Sequence, residues 1–216
     1  MPEALNDSPA ALDRFGYVTD AGRERLIGYV ELLRTWQKTH NLVAPSTLGA
    51  IWTRHVADSL QLIPLAPRSG EWVDLGSGGG FPGLAIAVAL GDQSDVSFTL
   101  VESNSKKVAF LRAAIRQSGA RAMVVAGRID AYGQSAAVRA DVVSARALAS
   151  TAELCRLAYP LLRPSGVMVL LKGQDFVHEE REAAKSWSYD LLDSPSLTDP
   201  GGHVVRITQL QPRRPP

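Results

Sequence analysis

Apolar residues recur at helical spacing through the first third of the chain and then gather into short runs separated by helical stretches. Leu26, Tyr29, Val30, Leu33 and Trp36 fall on one stripe at i, i+3 and i+4, the face an amphipathic helix buries, with Asp20 as its expected cap. A shorter helix is predicted ahead of it, where Ser8-Pro9 offers a cap and a proline at the first helical position. A third is predicted from Ser46, carrying Leu48, Ile51, Trp52, His55, Val56, Ser59 and Leu60, until Pro64 and Pro67 stop it. Residues 1–70 contain no strand pattern, so they are expected to be a helical extension packed on the rest of the chain.

From residue 71 the pattern alternates. Strands are predicted at 71–75, 97–101, 121–125, 141–144 and 167–171, with helices at 84–90, near 108–115 and at 151–161 between them. Such alternation predicts a parallel sheet covered by helices on both faces. Pro164-Ser165-Gly166 reads as the turn into the fifth strand. A polar helix is predicted near 177–187, and then candidate strands at 189–192 and 204–210. Pro195 and Asp199-Pro200-Gly201-Gly202 lie between these two, which reads as a long hairpin and predicts an antiparallel C-terminal strand. Residues 71–211 are thus expected to form one α/β domain, and 212–216 a frayed tail.

Five glycines in eight residues, Gly76-Ser77-Gly78-Gly79-Gly80-Phe81-Pro82-Gly83, stand between the first strand and its helix. Glycine is placed where backbone takes positive φ or comes close to a ligand. Strand, glycine turn and helix together form the nucleotide-binding start of an open α/β sheet. Two ligands compete for it. Gly78-x-Gly80-x-x-Gly83 with Glu102 beyond it fits a dinucleotide site, where the acid holds a ribose. Asp74-x-Gly76-x-Gly78-x-Gly80 equally fits the acidic-glycine signature of S-adenosylmethionine methyltransferases. Asp74 favours the second, because it can answer the positive groups of that cofactor's methionine end and would repel a pyrophosphate. The stretch after Leu171 is also too short for a second nucleotide-binding half and a substrate domain.

Composition narrows the class. The 216 residues are 45% hydrophobic and 21% charged with a net charge of +1, the balance of a folded globular chain rather than a disordered one. Cys155 is the only cysteine, which excludes an internal disulfide and a cysteine-built metal site. Its neighbours Leu154, Leu157 and Ala158 make it a core residue. His40, His178 and His203 show no ligand spacing, so no metal is expected. Residues 1–7 lack an apolar run, and nowhere do about 20 apolar residues follow one another as a membrane span requires. A cytoplasmic monomer without membrane contact is expected. One local asymmetry stands out: residues 103–150 hold eight basic side chains and two acidic ones, a possible footprint for a polyanion.

Asn41-Leu42, Arg54-His55-Val56-Ala57-Asp58-Ser59, the run from Asp74 to Gly83, Ser144-Ala145-Arg146-Ala147 and Leu171-Lys172-Gly173 occur in that order. Over residues 36–203 the chain closely resembles the bacterial 16S ribosomal RNA guanine N7-methyltransferase family, also called glucose-inhibited division protein B. The resemblance implies a class I S-adenosylmethionine-dependent methyltransferase with a Rossmann-like sheet, S-adenosyl-L-methionine as donor and 16S rRNA of the small ribosomal subunit as acceptor. Carried over by position, it places the cofactor against Gly76, Gly78 and the backbone between them. Phe81 would be an apolar wall, Glu102 would hold the ribose, and Ile129 and Asp130 would flank the adenine. Arg146 would face the cofactor carboxylate or the incoming base. The family's arginine before the tail histidine is absent, with Gly202 preceding His203.

Guanine N7 carries an in-plane lone pair and no proton, so its methylation calls for alignment rather than a general base. Strand four ends in Ser144-Ala145-Arg146, without the Asn/Asp-Pro-Pro-aromatic run that holds an exocyclic amine. No catalytic acid or base is therefore assigned. Lys172, at the end of a buried strand, is placed to meet phosphate or cofactor. Arg54 is expected to face RNA, and His55, on the apolar side of its helix, to be a core histidine. A nicotinamide-dependent oxidoreductase and a non-enzymatic RNA-binding protein with a structural glycine turn are the alternatives.

Overall fold

The computed structural model describes residues 7–135 and 139–213. Its strands are β1 (Ser69–Leu75), β2 (Asp95–Glu102), β3 (Ala122–Ala126), β4 (Ala140–Arg146), β5 (Leu162–Lys172), β6 (Trp187–Pro195) and β7 (His203–Pro212). They make one sheet in the order β3-β2-β1-β4-β5-β7-β6. β1 to β5 run parallel, β7 is antiparallel to β5, and β6 is antiparallel to β7. The turn expected at 164–166 lies inside β5 instead. Leu162 pairs with Ala140 and pairing resumes at Val167 with Val142, so residues 163–166 form a bulge within β5.

The helices are α1 (Asp20–Gln37), α2 (Asp58–Leu60), α3 (Gly83–Leu90), α4 (Ser105–Ser118), α5 (Ile129–Ser135), α6 (Thr151–Ala158) and α7 (Phe176–Ala183). Thr19 caps α1 by accepting from Gly22 N–H, one residue before the cap expected. Asn104 caps α4 by accepting from the Lys106 and Lys107 N–H groups, and Gly119 ends that helix in the left-handed conformation, the usual use of glycine at a helix C-terminus. A 3₁₀ turn, Pro45–Ala50, and a π-helical turn, Trp52–Ala57, lead into α2 where a single helix was expected. α5 carries Ile129 and Asp130 and has no strong apolar stripe to announce it.

Alternate side chains of a strand covered on both faces go to opposite sides. Trp72, Val142, Val167, Val169 and Leu171 enter the core under α1, α3 and α4, whereas Val73, Val143, Met168 and Leu170 enter the core under α6 and α7. Leu12, Leu26, Leu33, Ile51 and Trp52 belong to the first of these cores, so the N-terminal helices are packed on the sheet domain through shared apolar contacts. β1 begins at Ser69, which puts residue 70 inside the first strand. At the other end Pro212 closes β7, and Arg213 N–H donates to Ser186 O at 2.8 Å. Residues 212 and 213 are thus held, while 214–216 lie outside the described residues. The β6–β7 connection folds back over α2, with Leu197 N–H donating to Gln61 Oε1 at 2.6 Å and Thr198 Oγ1 to Asp58 Oδ1 at 2.7 Å. Among the described residues no helix is long and apolar enough to cross a membrane.

Candidate functional site

β1 ends between β2 and β4, where the strand order reverses, the crevice in which open α/β sheets bind ligands. The turn beyond it needs its glycines. Gly76, Gly78 and Gly80 have φ of +66°, +57° and +93°, and space is short as well. A Cβ on Gly80 would lie 2.5 Å from the Tyr29 hydroxyl, and one on Gly83 would lie 2.5 Å from Asp74 Cβ. The N–H groups of Gly76 and Ser77 donate to Val101 O at 2.9 and 3.1 Å, and the Tyr29 hydroxyl donates to Gly79 O at 2.5 Å. The turn is therefore tied to β2 on one side and to α1 on the other.

Two cavities meet at this turn. One of about 730 Å³ is bounded by Arg54, His55, Gly78, Phe81 and Lys172 among others, and one of about 470 Å³ by Glu102, Arg128, Ile129 and Asp130. Gly76, Lys107, Arg146 and residues 147–149 line both. Each volume lies in the range of small-molecule sites. Leu148 leans over Gly76, close enough that a Cβ there would meet its Cδ1 at 2.7 Å. The sharp turn that carries Leu148 places Ala147 at φ +49°, a conformation that costs a residue with a Cβ about 1 kcal/mol or more.

Asp74 lines neither cavity. It is wholly buried, its Oδ1 accepts from Ser144 Oγ at 2.6 Å, and Oδ2 has no hydrogen-bond partner among the described residues. Burial pushes its pKa up to about 6, against the pull of the Ser144 and Ser77 hydroxyls, the Gly83 N–H and Arg146. Gly83 N–H favours the charge without meeting hydrogen-bond geometry at Oδ2. Direct reach from Asp74 to a ligand's positive groups is thus replaced by a buried charge beneath the turn. A carboxyl whose folded pKa is raised stabilises the fold below its unfolded pKa of about 4 and loses that contribution as pH rises through the folded value. The stability difference between wild type and Asp74→Asn, from urea unfolding, is expected to fall by about 2–3 kcal/mol between pH 4 and pH 7. A flat difference would remove Asp74 as the titrating group.

Glu102 is 8% exposed at the end of β2. Its Oε2 accepts from Gly78 N–H at 2.9 Å and its Oε1 from Asn104 N–H at 2.8 Å, so it braces the turn while facing the second cavity. Asp130, at the start of α5, accepts from Arg156 at 2.8 Å. Ile129 stands beside it on the same wall.

Arg146 is the most constrained side chain of the site. Its Nη1 donates to Arg54 O at 2.8 Å and faces Asp58 Oδ2 at 3.6 Å, its Nη2 donates to His55 Nδ1 at 2.5 Å, and its guanidinium lies 5.3 Å from the Phe81 ring centre. Burial works against the guanidinium charge, and Asp58 is the first of the neighbours that restore it. Because arginine can only donate, His55 Nδ1 accepts, and Nε2 carries the proton toward Thr47 Oγ1 at 2.8 Å. Burial, Arg146 and Arg54 together hold the imidazole down at about 3, so His55 is neutral. It is buried, as its place on the apolar stripe implied, yet it also positions a site residue.

Arg54 pairs with Asp199 of the β6–β7 connection at 2.6 Å and remains partly exposed. Lys172 Nζ donates to Ala149 O at 3.0 Å and pairs with Glu179 at 2.5 Å, and the same Glu179 oxygen accepts from Thr151 N–H at 2.8 Å. The lysine expected to meet phosphate or cofactor is occupied in holding residues 149–151, the segment behind Leu148. Sequence reasoning did not single out Tyr29, Thr47, Asp58, Ser144 or Leu148. Asp58 and Ser144 had a signal, as members of the Arg-His-x-x-Asp-Ser and Ser-Ala-Arg-Ala motifs.

A mostly parallel sheet, a glycine turn at its switch point and an acid closing the neighbouring strand define a class I, Rossmann-like methyltransferase. Consistent with that fold, an O-methyltransferase from Bacillus cereus solved in complex with SAH superimposes with a TM-score of 0.60 at 13% identity, over 93% of this chain and 96% of that one. The model of the family described as rRNA small subunit methyltransferase G matches residues 23–201. Proteins named ribosomal RNA small subunit methyltransferase G from Rhodopseudomonas palustris (strain BisB18) and Parvibaculum lavamentivorans are each 44% identical over 212 residues. Those alignments cover 98% and 95% of this chain and 90% and 93% of the relatives. The chain belongs to the rRNA small subunit methyltransferase G family, and is an enzyme.

Proposed function

We propose that this protein transfers the methyl group of S-adenosyl-L-methionine to N7 of a guanine in 16S rRNA of the small ribosomal subunit, acting as a cytoplasmic monomer. The observation that carries the reading is the meeting of two cavities at Gly76 and Arg146. One suits a donor and the other an acceptor base. The residues fit the donor. Gly76 and Gly78 present bare backbone to the cavities, Asp74 keeps a carboxylate oxygen unpaired beneath the turn, and Glu102 faces the second cavity.

In this reading Gly76 and Gly78 present backbone to the cofactor, Glu102 accepts from its ribose hydroxyls, and Ile129 and Asp130 flank its adenine. When bound, the cofactor supplies an electrophilic methyl group on a sulfonium. The chain's own task is to align the base and exclude water. Phe81 offers an apolar plane, and Arg146 is held over its ring by His55, Asp58 and Arg54 O. Arginine commonly grips both O6 and N7 of guanine. Here a donor on N7 would occupy the attacking lone pair, so Arg146 is assigned to O6 alone. Neutral His55, with both ring nitrogens engaged, takes no proton.

The deciding experiment incubates the purified protein with methyl-labelled cofactor and 30S particles from a strain lacking the modification, and then identifies the modified nucleotide. Label in 7-methylguanosine is expected, and absence of label from RNA would refute the proposal. Glu102→Ala is expected to weaken binding of S-adenosylhomocysteine by about 1.5–3 kcal/mol, measured by calorimetry, through lost charge-assisted hydrogen bonds. Unchanged affinity would remove Glu102 from the cofactor site.

A further inference from the structure

We propose that the exposed faces of α4 and of the C-terminal half of α1 form a track for RNA phosphates leading to the mouth of the cleft; this rests on the reading of the acceptor as RNA. α4 carries Lys106, Lys107, Arg112 and Arg116 and no acidic residue, and the last part of α1 with its cap adds Arg34 and Lys38. All six are exposed except Lys107, which is half-buried. Many other basic side chains are matched, as in Arg54–Asp199, Arg156–Asp130, Arg163–Asp141, Lys172–Glu179 and Lys185–Glu182. None of the six has a side-chain hydrogen bond or ion pair among the described residues.

Their arrangement is directional. α1 and α4 lie side by side and antiparallel: Gln117 Nε2 donates to Gly28 O at 3.0 Å, and Trp36 packs edge-on against Phe110 with ring centres 5.8 Å apart. Lys38 and Lys106–Lys107 therefore stand at the same end, and Lys107 there lines both cavities. Arg34, Arg112 and Arg116 continue away from the cleft. At a rise of about 1.5 Å per residue, Arg116 lies about 15 Å along α4 from Lys106. Of the acids of α1, Asp20 and Glu24 lie in its first half, and exposed Glu31, three residues before Arg34, is the one acid of its C-terminal half. Unpaired cations in a row favour a polyanion, whose counterions they release.

The test uses the full chain and 30S particles lacking the modification, with affinity measured across a series of salt concentrations. The double variant Arg112→Gln/Arg116→Gln is expected to bind about tenfold more weakly and to show a salt dependence shallower by about 1.5 in log–log slope, since each lost phosphate contact removes about 0.7–0.9. Turnover at saturating particles and affinity for S-adenosylhomocysteine should stay at wild-type values. Arg112→Lys/Arg116→Lys should restore the slope. Arg206→Gln, on β7 in the other half of the sheet, where it lines a separate pocket with Asp141 and Ser165, should leave it unchanged. An unaltered slope in the double variant, or an equal loss in Arg206→Gln, overturns the track while the methyltransferase reading stands. Failure of the wild-type protein to methylate RNA overturns both.

Discussion

Arg146→Met is expected to lower methyl transfer by about 10²–10³-fold, the usual cost of removing one preorganised donor from a water-poor site. Methionine keeps the length and loses the fork. The base would then lose its O6 partner, and the Phe81 plane would lose the group that lies 5.3 Å from it. Two acceptors would also be stranded, Arg54 O and His55 Nδ1, to which Arg146 now donates at 2.8 and 2.5 Å, and the half-buried Asp58 would lose the cation that faces it at 3.6 Å. That part should cost about 1–3 kcal/mol of stability, or roughly 2–4 °C in melting temperature per kcal/mol for a chain of this size. Arg146→Lys should fall between the two proteins, because an ammonium can reach one partner at a time. Turnover measured beside a urea melt separates the effects. Near-wild-type methylation by a folded Arg146→Met protein would sink the assignment, and loss of folding would make the residue structural.

Gly80→Ala is expected to be the most destabilising single-methyl change in the turn, at about 3 kcal/mol or more. Two costs act together. The residue has φ +93°, and the added Cβ would lie 2.5 Å from the Tyr29 hydroxyl and 3.0 Å from Leu84 Cβ. Leu84 belongs to the fully buried α3 and has no room to retreat. Tyr29 would have to leave Gly79 O, so the turn would lose its tie to α1. Gly49→Ala is the control, since nothing lies within 4 Å of a Cβ there and its φ is ordinary. Its stability should change by less than about 0.5 kcal/mol. The urea midpoints of the two variants decide the matter. Equal midpoints would show that the turn tolerates a methyl and is not held by these contacts.

The elements were legible where the pattern had a period. Leu26, Tyr29, Val30 and Leu33 marked α1, and the apolar runs marked the five parallel strands. α5 was not legible, because it is short and lies on the domain rim with only Ile129 and Tyr132 packed inward. The continuation of β5 past Pro164 was not legible either, since a proline-serine-glycine run normally ends a strand, whereas here it bulges out and pairing with β4 resumes at Val167. In the site, residue identity announced Glu102 and the glycines. Charge type alone did not show the neighbours of Lys172, which lines the first cavity, or of Asp74, which lies beneath the turn. A lysine at a strand end and an acid before a glycine turn are both consistent with ligand contact, and only the tertiary structure shows that Glu179 and Ser144 engage them.

By itself the sequence determined the class of fold, the glycine turn with its acid partner and the excess of cations after residue 103, because these depend on local spacing and on residue type. Tertiary structure decided which charges are free and which are engaged. Arg54, Arg146 and Lys172 meet Asp199, Asp58 and Glu179, whereas Arg112 and Arg116 meet no acid among the described residues. Each such pairing joins side chains that the topology, and not the spacing, brings within a few ångströms, so the same residue type can brace the site at one position and stand open to a polyanion at another.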